Sequence, residues 1–514
     1  MESANRIKLN GMRVGRNSPS ITFQTVWLLT ARLVAFFMTL VLPVTLVRIF
    51  DKTDIGVYRQ IFLVIGTACS VLPMGFTLSA FYYLPRETTR RNLIVINIVI
   101  FLALVGMLCG GAIALFPQIL SVIVNNAALN RYAGWIGLTI FLWLFSGMLE
   151  NIATANEDVR SSAAFIVFAQ ISKTVIILAF ALIFRSIIAL LYAAVLQGTV
   201  ESLMLLWYLR KAFPGFWRRF DFSVFREQTS YVAPLGLAGF AYTAQCDLHS
   251  YIVAEHFSVE DYAIYSIGSG QLPLINTMRD ALVSVLLARI SSLQQRGETD
   301  EIRVLMLRAV RKLSAMYIPV AVCLFVLGRE FLITVYTAKF VSSLPFLMLN
   351  ALLLPLSGMI TDPVLRAYAA YRYVTLKVRL AMLVVLVILA LSSIHYLGMI
   401  GVMASYVFCV TAERLLLFRL TMRILNATWS DWKLVRDVWK YLAAAVIAGL
   451  AVLGLKVALP DARPQLILCL GAALFSIIYM VTVNVSGAIE DDERRMINRV
   501  TARYLRLNVF RVAD

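Results

Sequence analysis

Apolar residues along the chain gather into blocks of about 20, separated by short polar segments rich in turn formers, from near the N-terminus to within 30 residues of the C-terminus. A helix of about that length crosses the roughly 30 Å hydrocarbon core of a bilayer. The pattern predicts about fourteen such helices, over residues 23–47, 61–83, 93–115, 133–154, 163–184, 187–209, 231–254, 266–288, 315–336, 345–368, 379–398, 399–420, 441–459 and 465–486. Six make a first set and six a second, with two more behind them. The expected fold is an all-α polytopic membrane protein. Its expected parts are a tail (1–22), an N-lobe (23–209), an interfacial linker (210–230), a C-lobe (231–424), the last two helices with the segment before them (425–488), and an amphipathic tail (489–514).

Composition agrees with this reading. Of 514 residues, 60% are hydrophobic and 15% charged, against roughly 25% charged in soluble domains. The mean hydropathy of +0.81 excludes an ordinary soluble enzyme. The net charge of +18 need not signal nucleic acid. With the N-terminus inside, about 35 of the Lys and Arg fall on cytoplasmic segments and about 9 on external loops, the bias expected of a polytopic protein with both ends cytoplasmic. The six cysteines stand singly in apolar stretches, and the polar, basic N-terminus leads into an apolar run too long for a signal peptide.

The break between the two sets, RKAFPGFWRRFDFSVFREQTS (210–230), interleaves Arg210, Lys211, Arg218, Arg219 and Arg226 with Phe213, Phe216, Trp217, Phe220 and Phe225. Such a mixture suits the headgroup layer. Residues 428–441 repeat it with Trp429, Trp432 and Trp439 beside Lys433, Arg436 and Lys440. The tail opens acidic at Glu490–Glu493 and turns basic, with Ile497, Val500, Tyr504 and Leu507 on one helical face.

An internal repeat organises the rest. Phe50, Asp54 and Tyr58 follow the first span; Phe257, Asp261 and Tyr265 follow the seventh, 207 residues later, with the same F-x-x-x-D-x-x-x-Y spacing. Each copy leads into a span containing proline, Pro73 or Pro273. Six spans separate the copies, so the two lobes enter the membrane from the same side and should be parallel repeats about an axis along the membrane normal. Asp54 and Asp261 fit helix-start roles better than a catalytic pair.

Three cations fall within predicted spans: Arg32, Lys173 and Arg279. Each costs about 2.5–3.5 kcal/mol at mid-bilayer unless it meets water, a counter-charge or a ligand. Nearby acids are Glu150, Glu201, Asp247, Asp280 and Asp362, and a pairing of Asp247 with Arg279 is one way to satisfy both. A cationic cavity is the other. Arginine suits an anion there because its fork binds phosphate bidentately and keeps its charge. Asn151, Gln170, Gln197, Gln245 and Asn276 offer amides for sugar hydroxyls, or equally for bonds between helices. There is no Walker-type phosphate loop, no H-E-x-x-H, and no cysteine cluster that would hold zinc. The longest expected external loop, about 17 residues, is too small for the acceptor site of a polymerase or ligase.

The six-six-two arrangement, the segment FDKTDIGVY (50–58), and the stretch from Asp247 through FSVEDYAIYSIGSGQLPLINTMRDALVSVLLARISSLQQRGE resemble the Wzx-type polysaccharide flippases of the multidrug/oligosaccharidyl-lipid/polysaccharide (MOP) exporter superfamily. The resemblance covers nearly the whole chain. It implies two lobes alternating access to a cationic cavity and moving an undecaprenyl-pyrophosphate-linked oligosaccharide (an O-antigen, capsule or exopolysaccharide unit) to the outer leaflet of a bacterial inner membrane. On it, Arg32 and Arg279, with Lys173 as a third, are expected at the pyrophosphate. Asp247, with Asp280, is expected to take a coupling Na+ or H+ or to hold Arg279; Gln170, Gln197, Gln245 and Asn276 are expected at the sugars. It implies no enzyme activity, no cofactor and no nucleic acid, and a monomer partnered by a polysaccharide polymerase and a chain-length regulator. The alternatives are a lipid II flippase of the MurJ type, which shares the cationic cavity, and a drug antiporter of the MATE type, which three intraspan cations disfavour.

Overall fold

The computed structural model describes residues 35–488, apart from 36, 88, 271–272, 372, 429–430 and 432–435. The N-lobe opens with α1 (Phe37–Ile49), followed by a second crossing broken into α2 (Lys52–Val71) and α3 (Phe76–Tyr83). Next come α4 (Arg91–Leu115), a short α5 (Gln118–Val124), and a fourth crossing made of α6 (Ala133–Ser146) and α7 (Met148–Ala155). Two long helices complete the lobe, α8 (Val159–Phe184) and α9 (Ile187–Ala212).

The C-lobe begins with α10 (Phe222–His256) and a second broken crossing, α11 (Val259–Gly268) and α12 (Pro273–Gln295). It continues through α13 (Thr299–Tyr336), the short helices α14 (Leu344–Ala351), α15 (Leu353–Leu356) and α16 (Asp362–Ala367), and α17 (Val374–Ile424). α17 is two antiparallel crossings, reversed at Gly398 (φ 56°, ψ −141°), a backbone region that residues with a Cβ avoid. The chain ends with α18 (Asp437–Ala458) and α19 (Pro464–Val485). Among the described residues ten helical stretches are long and apolar enough to span a bilayer. The turn at Gly398 divides one of them, and α1, α10 and the pair α11–α12 bring the crossings to fourteen. The protein is a multi-pass, all-helical membrane protein.

Two helices start earlier than hydropathy alone predicts. α13 begins at Thr299 because ion pairs fix a polar first segment: Arg303 lies 2.9 Å from Asp300 and 3.2 Å from Asp431, and Arg311 lies 3.4 Å from Asp437. α10 begins inside the expected linker because Asp221 caps it. Its carboxylate accepts from the Ser223 N–H at 2.8 Å and hydroxyl at 2.7 Å. The last two helices dock on α13, where Lys456 meets buried Glu330 at 2.9 Å and the Tyr479 hydroxyl donates to the Ala315 carbonyl at 2.6 Å. Trp429, Trp432, Lys433 and the tail from 489 lie outside the described residues.

The repeat is visible in three dimensions. Thr53, in the first turn of α2, donates to Glu260, in the first turn of α11, at 2.7 Å. These positions are 207 apart, the offset of the sequence repeat. Asp54 and Asp261 occupy the same first turns, and both broken crossings yield at the proline: α2 stops before Pro73, and α12 starts at Pro273. The helices pack so closely that a Cβ on Gly56 would lie 2.1 Å from the Val259 carbonyl oxygen. Only glycine fits there.

Candidate functional site

At the end of the molecule where α2 and α11 begin, one apolar core draws on both lobes, joining Ile55, Ile61 and Leu120 to Ile252, Tyr262 and Val402. The seam is bolted by polar contacts. Arg48, at the end of α1, donates to the Thr334 and Val335 carbonyls at the end of α13 (2.6 and 3.0 Å), satisfying oxygens that a helix C-terminus leaves open. Asn125 donates to the Glu255 carbonyl at 2.9 Å. Toward the other end the lobes hold separate cores, one built around Phe76, Ile94 and Met148, the other around Leu286, Ile302 and Phe418.

A cavity of about 150 Å3, lined by charged and apolar side chains, lies in the C-lobe below the sealed end. Gly398 stands beside the ring of Phe257 at that end. Glu413 and Arg414 therefore lie about 23 Å below it, and Arg379 about 28 Å, at 1.5 Å per residue. Tyr406 lines the cavity; behind it the His249 ring lies 4.1 Å from the Tyr406 ring and bonds the Tyr265 hydroxyl at 2.7 Å.

Three guanidiniums and two carboxylates, Asp362 and Glu413, line the cavity. Glu413 spends both oxygens on neighbours: Gln245 donates to one at 2.5 Å and Arg379 to the other at 3.1 Å. Arg379 also lies over the Tyr242 ring at 4.8 Å. Arg414 is held by the Leu353 carbonyl at 2.8 Å and the Ser357 hydroxyl at 2.9 Å, so its position is set before any ligand arrives. Arg279 reaches the Tyr242 hydroxyl, and its charge repels that of Arg414. Counted with Asp362 and Glu413, the three arginines leave the cavity lining one positive charge in excess, with Arg279 and Arg414 near each other on one wall. Two like charges fixed in partly buried positions gain most from an anion that bridges them.

The other sequence candidates go elsewhere. Lys173, on α8, sits over the Trp143 ring at 3.9 Å in an N-lobe seam that also holds Glu201, to which Ser146 donates at 3.1 Å. Gln197 serves that seam by bonding Glu201. Gln170 points to Thr174, which in turn donates to the Met38 carbonyl of α1. Asp247 accepts from Thr67 of α2 at 2.7 Å, at the junction of the lobes; this bond, and not the weighed pairing with Arg279, is what the carboxylate makes. Arg32 lies outside the described residues, as do the side chains of Asn276 and Asp280. The structure thus brings Arg279 and Gln245 together and separates both from Lys173, Gln170 and Gln197.

Three residues of the cavity escaped the sequence reading. Glu413 and Arg414 are adjacent residues inside the predicted span 399–420, so three is too low a count of intraspan cations. Arg379 is the first residue of its predicted span and reads as a boundary cation.

Fold and cavity together define a multi-pass, all-helical membrane protein of two lobes with a charged cavity in the second. Residues 45–345, more than half the chain, match the model of the polysaccharide biosynthesis protein family, and the chain belongs to that family. Among solved structures it is similar to "Lipid II flippase MurJ, inward closed conformation" (TM-score 0.69, 13% identity, covering 90% of this chain and 98% of that one). It is also similar to a MOP superfamily transporter from Pyrococcus furiosus whose description reads "reverse polarity of binding pocket suggests different function" (TM-score 0.58, 14% identity, 79% and 95% covered). A third is an outward-facing multidrug resistance MATE family transporter (TM-score 0.58, 15% identity, 79% and 95% covered). At these identities the likeness is one of fold. No curated protein matches the chain in sequence.

Proposed function

We propose that the protein flips an undecaprenyl-pyrophosphate-linked polysaccharide repeat unit from the inner to the outer leaflet of a bacterial inner membrane, acting as a transporter and not as an enzyme. The observation that carries this reading is the Arg279–Arg414 wall, with Arg379 behind it, inside a membrane-embedded C-lobe. Two phosphates joined by one oxygen carry the spread negative charge that two guanidinium forks can share. A cationic drug would meet repulsion in the same place. If the charge bias of the loops sets orientation, the sealed end is external and the cavity opens to the side where such lipids are assembled. Asp247, at the lobe junction, is the carboxylate best placed to take a coupling cation. A polysaccharide polymerase would receive the product outside.

The test is the pool of lipid-linked sugar in cells depleted of the protein, resolved by mass. Accumulation of one complete undecaprenyl-pyrophosphate repeat unit is the expected result. Likeness to MurJ in fold favours lipid II as the second reading, and accumulation of lipid II would move the assignment there. Unchanged lipid pools with raised sensitivity to toxic cations would sink both.

A further inference from the structure

At the end away from the seal, the first turns of α10 present a shallow open groove formed by Phe222, Ser223, Arg226, Glu227, Ser230 and Tyr231. Its aromatic wall continues across the lobe: Tyr82 of α3 stacks on Tyr231 with ring centres 4.4 Å apart, and Tyr83 meets Tyr231 edge-on at 5.7 Å. Arg86 covers one face of Tyr82 at 3.8 Å, and Glu227 reaches the Tyr83 hydroxyl. Arg86 and Tyr231 therefore cover the two faces of Tyr82, which buttresses Tyr231 from behind; Tyr231, 37% exposed, is the tyrosine that borders the groove. The arginine cavity uses none of these residues.

We infer that this groove is a carbohydrate platform, holding the sugars of the same lipid whose pyrophosphate the arginine cavity takes; the inference rests on the proposed flippase reading. A pyranose ring has an apolar C–H face, which stacks on the electron-rich face of a tyrosine, and a hydroxyl rim, which wants donors and acceptors close together. The groove supplies both. Arg226 is a donor, Glu227 an acceptor, and Ser223 and Ser230 are either. The nearly balanced charge of Arg226 and Glu227 suits a neutral polyol better than an anionic phospholipid headgroup. Placement agrees as well. Tyr231 and Tyr242 are eleven residues apart on α10, about three turns and about 16 Å along the axis, with Pro234 between them. Tyr242 borders the Arg279 site. A sugar chain leaving a phosphate there would run along α10 toward the groove.

The test uses the full-length protein in nanodiscs and two probes: bare undecaprenyl pyrophosphate, and the oligosaccharide-bearing lipid extracted from cells depleted of the protein. The variant Tyr231→Ala should bind the glycosylated lipid about fivefold more weakly and the bare lipid as tightly as wild type. The variant Tyr231→Phe, which keeps the ring, should recover most of the lost affinity. Equal losses for both probes would make the tyrosine structural and overturn the platform. Unchanged binding of both would make it an interfacial anchor and overturn the platform equally. If wild type binds neither probe, the flippase reading itself fails and the platform goes with it.

Discussion

The two ends of the lobe interface are built differently. At one end a single apolar core spans both lobes, Gly56 lets α2 and α11 touch backbone to backbone, and Thr53, Arg48 and Asn125 bond across the seam. At the other end each lobe keeps its own core, and among the described residues α10 serves both: Val224 and Val232 lie in the N-lobe core, while Tyr242, Gln245 and Cys246 line the C-lobe cavity. On the proposed flippase reading, an interface closed by packing on one side and open on the other would be one state of a rocking machine, with the cost of the alternative state concentrated in the seal. The arginine cavity, by contrast, lies below the seal and within one lobe, so such rocking would carry it without rebuilding it.

The largest effect should come from fixing the seal. With the native cysteines replaced and Thr53→Cys and Glu260→Cys joined by a short cleavable thiol crosslinker, flipping in proteoliposomes should cease and return on cleavage. Transport by the crosslinked protein would show that the seal does not open and break the comparison. Next in size is the cavity. Arg279→Gln or Arg414→Gln should weaken undecaprenyl pyrophosphate binding about ten- to hundredfold, the value of a charge-assisted hydrogen-bond set, while insertion stays normal. Full affinity in both variants would remove the cavity from the mechanism.

Glu413→Gln separates stability from binding. It strands Arg379 in a partly buried site, so stability should fall by about 3 kcal/mol, yet it raises the net charge of the cavity, so pyrophosphate should bind more tightly. A change of the same sign in both would mean that Glu413 itself meets the ligand. Arg48→Ala is smaller still. It uncaps Thr334 and Val335 at a cost of about 1–2 kcal/mol to the sealed state, a five- to thirtyfold shift toward opening, readable as faster maleimide labelling of a cysteine placed at Thr67.

The helices were legible because each must carry about 20 apolar residues regardless of its neighbours, so hydropathy alone locates them. The repeat was legible because both helix starts need the same small set of residues, and Thr53 meets Glu260 at its offset. The cavity was only half legible. Arg279 stands out as a charge in an apolar run, but its neighbours Arg379 and Arg414 come from positions 100 and 135 residues later, and only the reversal of α17 at Gly398 brings them to one wall. Nor can sequence alone show that Lys173 lies over the Trp143 ring in an N-lobe seam. The Gln245–Glu413 bond likewise depends on the packing of α10 against α17, which no local pattern encodes.

The smallest effect tests whether α10 belongs to the split end alone. The Ser223 hydroxyl and N–H, followed by Arg90, hold the Asp221 carboxyl below the usual carboxylate range. A carboxyl with a depressed folded pKa stabilises the protein above its unfolded value, near 4, and loses that contribution as pH falls through the folded value. The difference in melting temperature between wild type and Asp221→Ala should therefore be small, constant from pH 8 to about pH 5, and shrink as pH falls through the depressed folded value. Because Asp221 caps only the first turn of α10, hydrogen exchange in the variant should quicken over residues 222–232 and remain unchanged over 51–58 and 257–265. Faster exchange in those two distant segments would mean that the cap also supports the seal, and that the two ends are coupled through α10 and do not yield independently.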